Sequence, residues 1–219
     1  MVLFGDSHAH QWQPAFEQIA KDRQWELIVR AKAGCPVPDL APRADQSIRF
    51  SKPECVQWRQ EQITDIATNI RPAMVIVSSF SFYIPDKGEI LTAWNKNLDQ
   101  LRTLGVPVVY LRDTPFPNKQ IPDCISSATD DWARCDFARV ADADHEPVIT
   151  QALQGAEDHV SVIDMNGYLC PAEQCPAVRN GTLLYRDDSH ITATAAKLLT
   201  PALDQAFVDA NLLPAKATG

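Results

Sequence analysis

A doubly wound α/β fold, a three-layer α/β/α sandwich around a five-stranded parallel sheet, is what this sequence predicts. Three features point to it. Five short apolar runs, each of strand length, recur along the chain. Stretches with helical spacing of apolar residues lie between them. Met74-Val-Ile-Val77 is apolar at every position, as expected of a strand covered on both faces. With 219 residues, no internal repeat, no low-complexity run and no linker-like segment, residues 1–219 read as one domain with a large core.

The elements follow in order. Val2 to Phe4 is the first strand, and it stops abruptly at Gly5-Asp6-Ser7-His8. Trp12, Phe16, Ile19 and Ala20 then line one face of a helix that tolerates Pro14 only in its first turn. Trp25 to Arg30 is the second strand, and Gly34 to Pro53 reads as a long loop. A helix begins at Pro53, a good start residue, and carries Ile63, Ile66, Ala67 and Ile70. After the third strand at Met74–Val77, a helix from about Glu89 to Leu104 presents Ile90, Leu91, Trp94, Leu98 and Leu101, with Gly105 placed to end it. Val106 to Leu111 is the fourth strand. Asp113 to Arg139 reads as irregular, with a short helix near Trp132, and a helix near Pro147–Gln154 leads to the fifth strand at Val160–Ile163. The last helix carries Ala195, Leu198, Leu199 and Leu203, kinked or restarted at Pro201.

The formal net charge of −8 disfavours nucleic acid and anionic membrane as partners, because both require a basic face. No apolar run reaches the roughly 18 residues of a membrane span. No signal peptide is evident either, since Met1 leads straight into the first strand. The six cysteines fall as near neighbours, Cys35 with Cys55, Cys124 with Cys135, and Cys170 with Cys175. An even set in Pro-, Gly- and Asp-rich loops favours disulfides, paired as neighbours, in an oxidising compartment. Zinc at Cys170-Pro-Ala-Glu-Gln-Cys175 is the alternative, although no second closely spaced ligand pair accompanies it. Paired cysteines without a signal lead to the expectation that further chain lies upstream of Met1.

Ser7 ends a strand on the edge where parallel α/β sheets place their sites. A serine hydroxyl needs a base, and the base needs an orienting acid. His190 in Tyr185-Arg-Asp-Asp-Ser-His190 is the candidate base, with Asp187 three residues before it and Asp188 as the rival acid. The competing reading is a helix cap beside a surface histidine. His8 and His10 lack the further ligands a metal would need, so a turn or helix-start role fits them better. Trp12 belongs to the core, or stacks on a sugar near the site. Arg112 and Asp113 read either as substrate contacts or as a local ion pair, and Tyr185 and Arg186 as packing residues. No cofactor or metal is called for.

Gly5-Asp6-Ser7-His8 after the first strand, with Asp187-x-x-His190 before the last helix, resembles the SGNH hydrolase superfamily, whose fold is flavodoxin-like. Ala33-Gly-Cys-Pro36, Leu111-Arg-Asp-Thr-Pro115, Leu169-Cys-Pro171 with Cys175-Pro-Ala-Val178, and Leu184-Tyr-Arg-Asp-Asp-Ser-His-Ile-Thr192 extend the likeness. They resemble the SGNH domain fused behind type-3 membrane acyltransferases, over nearly the whole chain. The resemblance implies Ser7 as nucleophile, His190 as general base and Asp187 as its acid. It implies O-acylation, most simply O-acetylation, of a cell-envelope glycan outside the cytoplasmic membrane, with an upstream membrane domain as acyl source. A carbohydrate esterase or deacetylase with the same triad is one alternative, and a weakly active glycan-binding module is another. For the oxyanion, the Ser7 N–H is expected to be one donor and Gly34 a second, unless Gly34 is only a turn glycine. The superfamily's Gly-x-Asn-Asp stretch after the third strand is replaced here by Ser78-Ser-Phe-Ser-Phe82, which leaves Ser78, Ser79 or the local backbone as substitutes.

Overall fold

Val2, Leu3 and Phe4 are completely shielded from solvent, and with Gly5 they form β1 (Val2–Gly5). In the computed structural model, which describes residues 1–40, 53–81, 87–139 and 160–213, the chain falls into two compact units. The first comprises Met1–His10, Glu26–Asp113 and Ala141–Val162. The second comprises Gln11–Trp25, Thr114–Val140 and Ile163–Gly219.

After β1 come the helical turn α1 (Ser7–His10), α2 (Gln13–Arg23), the edge strand β2 (Ile28–Ala31) and α3 (Pro53–Asp65). A π-helical turn at Ile66–Ile70 prolongs α3. Then follow β3 (Val75–Ser78), α4 (Lys87–Arg102) and β4 (Val108–Leu111). The expected parallel five-stranded sheet flanked by helices is present, in the order β2-β1-β3-β4-β6, with β6 at Ser161–Ile163. Gly5 lies opposite Ala31 on one side and Ser78 on the other. All four residues of β1, of β3 and of β4 are buried, which is why their sequences are continuous apolar runs rather than alternating ones.

One core of the first unit gathers Phe4, Val77, Tyr110, Ile63, Ile66, Trp94, Leu98 and Leu101, so α3 and α4 cover one face of the sheet. Each large apolar side chain buried there contributes about 1.5–3 kcal/mol. The second unit packs α2 against α7 (Ala193–Leu198) and α8 (Thr200–Asp209). Phe16 meets Phe207 edge-on at 5.8 Å, and Arg23 Nε donates to Asp204 Oδ1 at 2.6 Å. Trp12 is fully buried, as the core reading requires. Pro201 lies in the first turn of α8, so the helix restarts there as its position predicts, but Leu198 is 62 % exposed and takes no part in the apolar stripe assigned to it.

The stretch read as irregular holds more order than expected. It contains α5 (Ile121–Ser127), a 3-10 turn at Trp132–Cys135 and β5 (Phe137–Ala138). Beyond β6 lie α6 (Asn166–Leu169), β7 (Gln174–Cys175), β8 (Val178–Arg179) and β9 (Thr182–Leu183). β5 pairs with β7, and β8 with β9, in antiparallel ribbons. The three disulfides are Cys35–Cys55, Cys124–Cys135 and Cys170–Cys175, the neighbour pairing expected, so Cys170 and Cys175 hold each other rather than zinc. The helix expected near Pro147–Gln154 lies outside the described residues.

Candidate active site

Gly5 can occupy its place because it has no side chain. A Cβ there would overlap the carbonyl oxygen of Ser78 and press on Ala9. β1 ends at Gly5, and α1 begins two residues later, at Ser7. From Val2 to Ala9 every residue is buried except Ser7, which is partly exposed. The residues on either side of it are fixed from below. Asp6 accepts the His8 N–H at Oδ1 (2.8 Å) and the Phe80 N–H at Oδ2 (3.0 Å). His8 Nδ1 lies 2.6 Å from Asp113 Oδ1, and Asp113 Oδ2 accepts the Ser81 N–H at 2.8 Å.

Asp113 was open between a substrate contact and an ion pair with its neighbour. It is 1 % exposed, and it binds both His8 and Ser81. Strand order hid this pairing from the sequence, since residues 105 apart meet only because β1 and β4 flank β3. His8 thus has a structural role in the turn, as expected, and a more specific one than helix initiation. Among the described residues, no group of three or more His, Cys, Asp or Glu side chains could hold a metal ion.

Gly34 has a φ of +73°, a left-handed conformation that favours glycine, so its turn role is real. The loop after it is held from several sides. Cys35 is bonded to Cys55 of α3, and Arg59 donates to the Pro36 carbonyl (2.7 Å) and to Asp39 (2.9 Å). Asn97 donates to the Val37 carbonyl at 2.6 Å. Val37 N–H in turn donates to Ser79 Oγ at 2.8 Å. Ser79 therefore braces this loop. Ser78 and Ser79 are both fully buried, and neither hydroxyl faces solvent. The amides of Phe80 and Ser81 are likewise taken by Asp6 and Asp113. Arg112 follows β4 and is partly buried.

In the second unit, Asp187 and His190 come together as the Asp-x-x-His spacing predicts. Asp187 Oδ1 accepts the N–H groups of Ser189 (2.9 Å) and His190 (2.6 Å), and Oδ2 lies 2.9 Å from His190 Nδ1. Burial pushes the Asp187 carboxyl up, but the two backbone donors and the imidazole outweigh it and hold the group below its ordinary value. Asp187 is then ionised at neutral pH and accepts the Nδ1 proton, which leaves the lone pair on Nε2. Asp188 instead offers its backbone carbonyl to the Asn118 N–H, at 3.1 Å. The loop is closed by a bridge between Tyr185 and Ile191 and by Gln11, whose side-chain oxygen accepts the Ile191 N–H at 2.8 Å. Tyr185 is completely buried against Phe137 and serves packing. Arg186 Nε lies 3.7 Å from Asp187 Oδ2.

A paired imidazole with its base nitrogen defined, and a solvent-reachable serine at a strand end, are the parts used in acyl transfer and ester hydrolysis. Among solved structures, the chain is similar to the periplasmic domain of a lipopolysaccharide acetyltransferase from Salmonella ser. Paratyphi A. The TM-score is 0.73 at 13 % identity, over 94 % of this chain and 82 % of that one. It is also similar to the acetyl xylan esterase AlAXEase, with a TM-score of 0.58 at 12 % identity, over 94 % of this chain and 98 % of that one. A third likeness is to a putative acylhydrolase from Bacteroides fragilis, with a TM-score of 0.56 at 12 % identity, over 97 % and 87 % of the two chains. At these identities the likeness is one of fold. No curated protein sequence matches closely enough to count as a relative. The sequence pattern described as SGNH domain (fused to AT3 domains) matches residues 1–205, and the chain belongs to that family.

Proposed function

We propose that this chain is the extracytoplasmic SGNH domain of an O-acyltransferase that modifies a cell-envelope glycan, with acetyl as the acyl group. The observation that carries the reading is the Asp187–His190 pair, whose ionised carboxylate fixes the proton on Nδ1 and leaves Nε2 as a base. The family's association with AT3 domains supports an upstream membrane domain as the acyl source. The three disulfides fit an oxidising compartment, and among the described residues no helix is long and apolar enough to cross a membrane.

In the proposed mechanism, His190 Nε2 takes the Ser7 hydroxyl proton as Oγ attacks the donor's acyl carbon. The carbonyl oxygen gains the negative charge, and the N–H groups of Ser7 and Gly34 stabilise it. Collapse breaks the bond to the donor oxygen, which leaves with the proton from His190. A glycan hydroxyl then gives its proton to Nε2 and attacks the acyl-Ser7 ester. Ser7 Oγ is released and recovers that proton. With water as acceptor the same steps make an esterase, the second reading, which the esterase-like fold neighbours favour.

The test is p-nitrophenyl acetate turnover by the wild type, Ser7→Ala and His190→Ala, with intact-mass detection of an acetyl adduct. Both variants should fall by at least about 1,000-fold, and the adduct should vanish with Ser7. Equal, slow release from all three proteins would sink the enzyme readings and leave glycan binding. Adding glycan acceptors to the wild type separates transfer from hydrolysis.

A further inference from the structure

We propose that His8 and Asp113 form a positioning pair which, with Asp6, sets the orientation of the Ser7 turn; the inference rests on Ser7 being the nucleophile. The three residues are 3 %, 1 % and 0 % exposed. Burying two carboxylates is costly unless every oxygen is matched, and a turn that only had to leave a strand needs neither. Both carboxylates are matched, and to the same loop. Asp6 binds the Phe80 N–H, and Asp113 binds the next N–H, that of Ser81, together with the Ser81 hydroxyl at 3.2 Å. Asp6 also holds the His8 N–H, and Asp113 holds the His8 ring, which lies 4.6 Å from the Phe80 ring.

Ser7 therefore sits between two residues, each tied through a carboxylate to successive amides after β3. That is the stretch in which the superfamily's Gly-x-Asn-Asp is missing. The clamp fixes where the Ser7 hydroxyl and N–H point without touching the reacting atoms. Its contribution is alignment, and misplacement by about 1 Å costs on the order of 100-fold.

The test uses the full chain with p-nitrophenyl acetate, reading kcat, KM, adduct mass and unfolding temperature for Ser7→Ala, His8→Ala, His8→Asn and His8→Gln. An asparagine Nδ2 can replace Nδ1 toward Asp113, whereas a glutamine amide reaches one atom too far. His8→Ala should lower kcat about 10- to 100-fold with KM unchanged. His8→Asn should recover most of that loss, and His8→Gln should not. A wild-type kcat in His8→Ala, or equal rates in His8→Asn and His8→Gln, overturns the pair. If His8→Ala does not fold, the Asn-against-Gln comparison decides alone. The Ser7→Ala control keeps the two ideas apart. An active Ser7→Ala removes the nucleophile reading and this inference with it. An inactive Ser7→Ala beside unaffected His8 variants removes only the inference.

Discussion

At the scale of single residues, Asp187 carries the most consequence. Its carboxyl lies below its ordinary value in the folded chain, so the unfolded chain binds the proton more tightly. The stability this confers is complete above the ordinary carboxylate range and is lost as pH falls through the depressed value. The unfolding temperature of the wild type should therefore drop more steeply than that of Asp187→Asn below about pH 4. Parallel curves would show that the interaction adds nothing to stability. The same variant should lose roughly 10,000-fold in kcat on p-nitrophenyl acetate, because an amide side chain no longer dictates which ring nitrogen bears the proton. Asp187 was readable in the sequence because its partner is three residues away. The bond between His8 and Asp113 was not, because nothing local marks a contact across 105 residues.

Among elements, β1 and its exit turn are the most constrained. Gly5→Ala places a methyl group where the Ser78 carbonyl oxygen stands. A cost of about 1–3 kcal/mol is expected, as for other overpacked sites, and urea denaturation would measure it. A midpoint equal to the wild type's would mean that β1 and β3 can move apart without penalty. Strands β1, β3 and β4 were legible because burial on both faces leaves an unbroken apolar run. The division between α7 and α8 was legible from Pro201. Helix α5 was missed because it is seven residues long, begins with a proline in its first turn, and buries only Ile121. With so short an apolar stripe, periodicity has nothing to register.

For the molecule as a whole, the disulfides divide the stabilising work unequally. Their sequence separations are 20, 11 and 5 residues, and the entropy withheld from the unfolded chain grows with the loop closed. Opening Cys35–Cys55 with a Cys→Ser pair should cost about 3 kcal/mol, more than opening Cys170–Cys175, as read by chemical denaturation. The reverse ranking would place the effect in the native loops instead. The pairing was visible in the sequence because each cysteine's partner is its nearest neighbour. The order in which the strands line up was not visible, and that order brings Asp6, His8 and Asp113 to one place.

The occupied amides after β3 also bear on redesign. An asparagine written into Ser78–Ser81 toward the superfamily's motif is confined by what those positions already do. At 79 it would replace the hydroxyl that braces Val37, and at 81 the hydroxyl bonded to Asp113. At 80 it would exchange a partly buried ring and leave the backbone N–H on Asp6 in place, so a redesign can add an amide there without releasing the carboxylates around Ser7.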